Sequence, residues 1–129
     1  LVTSIPKSSL HFNGSAVTYN YEAKENLLHV KHETLEKEGA VSESTAKQMV
    51  AGALQTFNAD YAVATTGIMG PASENDEKPV GTVWIAAGNK EHIITKQLNL
   101  GYDRLRNIQS TALQALNLLR QFIIADDVK

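Results

Sequence analysis

The sequence predicts an α/β fold: a three-layer sandwich in which a mixed, mostly parallel sheet carries helices on both faces. Three observations predict it. The short runs Tyr61–Thr66 and Thr82–Gly88 are apolar without alternation, as strands covered on both sides should be. Two longer segments, 42–57 and 103–125, place apolar residues at helical spacing. Strand, helix and hairpin signals then follow one another in an order that layers helices against a sheet.

From the amino end, Ser4-Ile5-Pro6-Lys7-Ser8-Ser9 is turn chemistry, with the proline halting any preceding helix. Gly14–Tyr19 is a short β-biased run. Tyr21–Val30 sets Ala23, Leu27 and Leu28 at helical spacing and predicts a short helix. Lys31–Gly39 is charged, with a helical turn that Gly39 should close as a C-cap. In Ser42–Phe57, the stripe Ala46, Met49, Val50, Ala53, Leu54 and Phe57 predicts an amphipathic helix. Ser42 is its N-cap and Glu43 lies in its positive first turn.

Asn58-Ala59-Asp60 breaks that helix, and Tyr61–Thr66 follows as a central parallel strand. After Thr82–Gly88, Gly88-Asn89-Lys90-Glu91 should turn the chain into a hairpin partner at His92–Leu98. The last helix, from Asp103 to about Ala125, lines up Leu105, Ile108, Ala112, Ala115, Leu116, Leu119, Phe122 and Ile123. Leu118 and Ile124 fall off that stripe, and the surplus apolar surface predicts a homodimer.

Composition narrows the function. The 129 residues suit one domain, and a net charge of −2 with a pI near 6.1 offers no basic field to nucleic acid or an anionic membrane. No apolar run reaches the roughly 18 residues of a membrane span. Cysteine is absent, which excludes disulfides, thiol nucleophiles and thiolate metal sites, and suits a reducing cytoplasm.

Candidate chemistry concentrates where the Tyr61–Thr66 run ends. Thr65, Thr66, Gly67, Gly70 and Pro71 place hydroxyls and glycine amides at a strand end, and Gly67 to Gly81 has no hydrophobic periodicity. Such donors suit an anion or a carbonyl oxygen. The alternative is a surface loop whose glycines merely permit turning. It is neither a Walker A loop nor a dinucleotide fingerprint. Ala72–Glu77 is acidic, fit for a solvated loop or a lid over a site. Lys78, fixed by Pro79, either points inward at a phosphate or is solvated.

Arg104 and Arg106 flank Leu105 at the last helix's start, and an arginine fork suits a phosphate or carboxylate; Arg106 reads as a surface charge. His29 and His32 share a helical face in this reading. They lack a third ligand, so no metal and no cofactor is expected, and His11 and His92 are read as structural.

The same residues carry a family resemblance. The block TTGIMGP…KPVGTVWIA, from Thr65 to Ala86, resembles the signature of the CinA C-terminal domain, TGIAGP…KPVGTV. Ser15–Lys24 resembles the family's Tyr-Ser-Asn-Glu-Ala-Lys segment, Gly39–Glu43 matches its Gly-Ala-Val-Ser-Glu, and Gly101–Arg106 resembles its Gly-Asp-Arg approach to the last helix. The family's further arginine, one turn on, meets Ile108 and Gln109 here.

This family includes nicotinamide mononucleotide deamidases. The resemblance implies an amidohydrolase of pyridine-nucleotide salvage that binds a small nucleotide substrate. Lys24 is its active-site lysine, Tyr19 orients that amine or donates to the substrate carbonyl, and Thr66 lies at the oxyanion. Thr65, Gly67, Gly70, Pro71, Lys78 and Arg104 bind substrate. On sequence alone, Lys24 would be a solvated charge and Tyr19 a half-buried strand aromatic. The family's first motif, Glu-Ser-Cys-Thr-Gly-Gly, should precede Leu1. Residues 1–129 are therefore expected to form one such domain without its N-terminal strand and serine, and to be inactive alone. The rival reading is a non-catalytic CinA-like module that binds a nucleotide or a protein.

Overall fold

Local capping sets the helix boundaries in the computed structural model, which describes residues 2–70 and 78–128. Asn20 accepts from the Ala23 N–H at 2.7 Å and starts α1, Tyr21–Leu28. The chain leaves α1 through His29, whose positive φ of 56° closes the helix, and re-enters at α2, His32–Glu38. Gly39, at φ 80°, ends α2. Ser42 caps α3, Glu43–Thr56, and Asp103 caps α4, Arg104–Asp127. The helices stand where the spacing predicts, with Ser42 and Gly39 as the expected caps, while the Asn20 and Asp103 caps are additions of the structure.

The strands are β1, Ala62–Gly67; β2, Thr82–Gly88; and β3, Ile93–Asn99. Their order is β1-β2-β3, and both pairings are antiparallel, with Thr66 opposite Trp84 and Ile85 opposite Lys96. This corrects the expectation of a mostly parallel sheet. Apolar residues on both faces report cover on both faces, which parallel and antiparallel neighbours receive equally. Here β2 is central and two helices cover it. Val83, Ile85 and Ala87 pack with Leu98 against Ala115 and Leu118 of α4. Trp84 and Ala86 face Ala46, Val50 and Leu54 of α3. The three-layer arrangement with helices on both faces therefore holds.

Two other expectations give way. Gly14–Tyr19 forms no strand; Asn13 anchors it to the Phe57 carbonyl at 3.1 Å, and Val17 is exposed. On α4 the buried stripe is Asn107, Thr111, Ala115, Leu118 and Phe122, so the helix is turned from the predicted face. Leu118 is core, whereas Leu105 and Ile108 are exposed. Polar side chains occupy two buried positions, and an apolar count cannot see them.

A second apolar cluster, Leu28, Val30, Leu35 and Met49, joins α1 and α2 to α3. Thr56 donates to the Leu27 carbonyl at 2.6 Å, and the Lys31 N–H donates to Gln48 Oε1 at 2.8 Å. His32, instead of sharing a helical face with His29, bridges Glu25 of α1 and Glu36 of α2 at 2.7 and 2.8 Å. Its hydrogen bond to Glu25, then the charge of Glu36, raises its pKa. These contacts seat α1, which carries Lys24.

Candidate functional site

Lys24 lies on the inner face of α1 and is 7% exposed. Its Nζ donates to the Thr18 carbonyl at 2.5 Å. Burial disfavours the charged ammonium and lowers its pKa from the ordinary lysine value. An amine that donates one N–H to a carbonyl keeps, when neutral, a lone pair for proton transfer. The adjacent Tyr19 is 83% exposed, and its hydroxyl accepts from Arg104 Nη2 at 3.3 Å. Arg104 Nη1 also donates to the Gly70 carbonyl at 2.5 Å. Tyr19, Gly70 and Arg104, distant in sequence, therefore meet, and Lys24 Nζ is bonded to the carbonyl of Thr18, the residue before Tyr19.

The rest of the predicted set divides. Thr65 and Thr66 point to opposite faces of β1, as successive strand residues must. Thr65 is exposed; Thr66 is buried and donates to the Ala40 carbonyl at 2.6 Å. Gly67 ends β1 opposite Val83, and Gly70 is buried with φ 107°. Lys78 turns to the α2–α3 connection, donating to the carbonyls of Glu38 and, at 2.8 Å, Val41. Thr45 donates to the Gly39 carbonyl at 2.8 Å. Side chains from three places thus satisfy the consecutive carbonyls 38–41, which fixes the Gly-Ala-Val-Ser turn as a platform beside the β1 end. Pro71 and Ala72–Glu77 lie outside the described residues.

Sequence reasoning passed over Asn107. It is fully buried, donates to the Met69 carbonyl at 2.9 Å, and bonds both backbone groups of Tyr102. Its signal in the sequence is an asparagine inside a helical stripe, where the residue is disfavoured unless its side chain has partners.

Two cavities among the described residues open at the other end of the sheet. One, of about 390 Å³, lies between α3 and the β2–β3 turn, lined by Leu54, Gln55, Asn58, Asn89 and Lys90. The second borders Tyr61, whose hydroxyl donates to Asp126 at 2.6 Å; that bond pushes its pKa up to about 12. Among the described residues no three His, Asp or Glu side chains converge as a metal site, and no helix is long and apolar enough to cross a membrane.

The family model described as the CinA C-terminal domain matches residues 1–123. A CinA-like protein of Cytophaga hutchinsonii is 43% identical over 121 residues, which are 94% of this chain and 29% of that protein. A putative competence-damage inducible protein of a Thermoanaerobacter species is 41% identical over 123 residues, 95% of this chain and 30% of the relative. The chain thus spans about three-tenths of the length of these curated relatives. Among solved structures, a competence/damage inducible protein from Agrobacterium tumefaciens superposes with a TM-score of 0.88 at 39% identity, covering 92% of this chain and 73% of that one. One from Klebsiella pneumoniae gives 0.91 at 31% identity, covering 95% and 76%.

Proposed function

The chain belongs to the CinA C-terminal domain family, and on that footing we propose that it is the hydrolytic domain of a nicotinamide mononucleotide amidase. The observation that carries the reading is Lys24, an amine buried within hydrogen-bonding distance of a carbonyl and depressed in pKa by desolvation. A lysine whose proton is held less tightly is what a serine-type amide hydrolase needs, because a serine hydroxyl is inert until a base takes its proton.

In the proposed reaction, the serine of the family's Glu-Ser-Cys-Thr-Gly-Gly motif attacks the carboxamide carbon while Lys24 Nζ accepts its proton. The carbonyl π bond opens to an oxyanion, to which the backbone amides around Thr66 and Gly67 donate. Collapse breaks the C–N bond, and the leaving nitrogen takes the proton from Lys24 and departs as ammonia. Water, deprotonated by the same amine, then hydrolyses the acyl ester to nicotinate mononucleotide and free serine. Tyr19 donates toward the substrate carbonyl, and Arg104 meets the phosphate. Thr65, Gly67, Gly70 and Pro71 complete the binding surface; Lys78 serves it through the platform it anchors.

Two observations support the phosphate role: Arg104 stands at the β1 exit, and Gly70 turns its backbone there with positive φ. The proposal includes a cytoplasmic homodimer. The test is ammonia release from nicotinamide mononucleotide by the full-length protein. Release that stops on replacing the motif serine with alanine is expected. Binding without release would instead favour a non-catalytic nucleotide module.

A further inference from the structure

Asn107 commits its whole side chain to two loops. Oδ1 accepts from the Tyr102 N–H at 3.1 Å, and Nδ2 donates to the Tyr102 carbonyl at 3.0 Å and the Met69 carbonyl at 2.9 Å. Tyr102 lies two residues before Arg104, and Met69 immediately before Gly70. The asparagine therefore joins the β1 exit to the α4 entrance at the point where Arg104 crosses to the Gly70 carbonyl. Arg104 is itself exposed, and a long exposed side chain loses rotamer entropy when held. Its placement depends on how rigidly the backbone at both ends is fixed, and the buried Asn107 amide supplies that rigidity through three bonds to those two segments.

We infer that Asn107 is a positioning residue for binding of the substrate's anionic group: it holds Gly70 and Arg104 at one separation, so that the guanidinium meets the anion without reorganising. The inference rests on the proposed nucleotide site. It assigns a role to a residue that touches no substrate, and a 1 Å error in such a frame can cost on the order of 10²-fold.

Replacing Asn107 with an apolar residue would remove the side-chain partner of three part-buried backbone groups and risk unfolding. Asn107→Asp keeps the shape and the acceptor for Tyr102 N–H, while placing a carboxylate against two carbonyls. Asn107→Ser, neutral and smaller, also loses both amide donations and answers the same question if the aspartate variant does not fold. Thr111→Val is the control. Its hydroxyl donates to the Asn107 carbonyl at 2.7 Å from the same buried stripe and reaches the β1 exit only through the Met69 sulfur at 3.9 Å, bonding neither loop's backbone.

In the full-length protein, the Asn107 variants should raise KM for nicotinamide mononucleotide, and the calorimetric Kd, roughly tenfold, with kcat within about twofold, as lost uniform binding does. Thr111→Val should lower the melting temperature and leave KM and Kd unchanged. Unchanged KM and Kd in folded Asn107 variants would overturn the inference, and so would an equal rise in Thr111→Val. If the wild type binds the nucleotide but releases no ammonia, the hydrolytic reading fails and Kd alone decides the role of Asn107. If the wild type does not bind it, both fall.

Discussion

Lys24 shows how one residue's surroundings change its chemistry. In sequence it is a lysine on a short helix, where solvation is the ordinary outcome. Folding buries it to 7% exposure and lowers its pKa. The folded state binds a proton at this site less readily than the unfolded chain, so the unfolded state carries more protons between the lowered pKa and the usual value near 10.4. Stability from this group therefore rises with pH through that window and is reduced below it. Lys24→Met has no such titration. Melting temperatures of both proteins, followed from pH 6 to pH 10, should show the wild type gaining on the variant as pH rises. Parallel curves would mean that the amine is effectively solvated. Thr66 was legible as a strand-end hydroxyl, but its bond to the Ala40 carbonyl was not, because that acceptor belongs to a turn 26 residues away.

At the scale of elements, α1 depends on its seat against α3. A Cβ at Gly52 would stand 1.6 Å from the Leu28 carbonyl oxygen, with the α1 backbone rather than a flexible side chain as the obstacle. Alanine ordinarily favours a helix interior by about 1 kcal/mol over glycine. Here steric overlap reverses the sign. Overpacking of this kind costs typically about 1–3 kcal/mol. Gly52→Ala should therefore lower unfolding free energy in denaturant titrations, and an unchanged or higher midpoint would show that α1 moves away freely.

Element positions were legible because caps are local: Ser42 and Gly39 sit beside the helices they start and end. Strand direction was not legible. The residues of β1 and β2 record burial on two faces, while pairing direction depends on how the chain between them returns. The face of α4 was misjudged for a related reason, since Asn107 and Thr111 are polar in sequence and buried only because loops and Met69 meet them.

For the molecule as a whole, the fold leaves apolar side chains of α4 uncovered: Leu105, Ile108, Leu113 and Ile124 are all exposed. With Leu118 assigned to the core, these residues now carry the expectation of a twofold dimer. Light scattering at micromolar concentration should give twice the protomer mass, and Ile108→Glu should shift it toward the monomer. A wild-type monomer at that concentration would count against the dimer.

Turnover of nicotinamide mononucleotide by full-length Lys24→Ala decides whether the buried Lys24 serves as the base of an amide hydrolase. The variant should fold, bind the nucleotide and release ammonia on the order of 10²-fold or more slowly than wild type, as loss of a general base predicts. A folded Lys24→Ala protein that releases ammonia at the wild-type rate would mean that Lys24 is not the base.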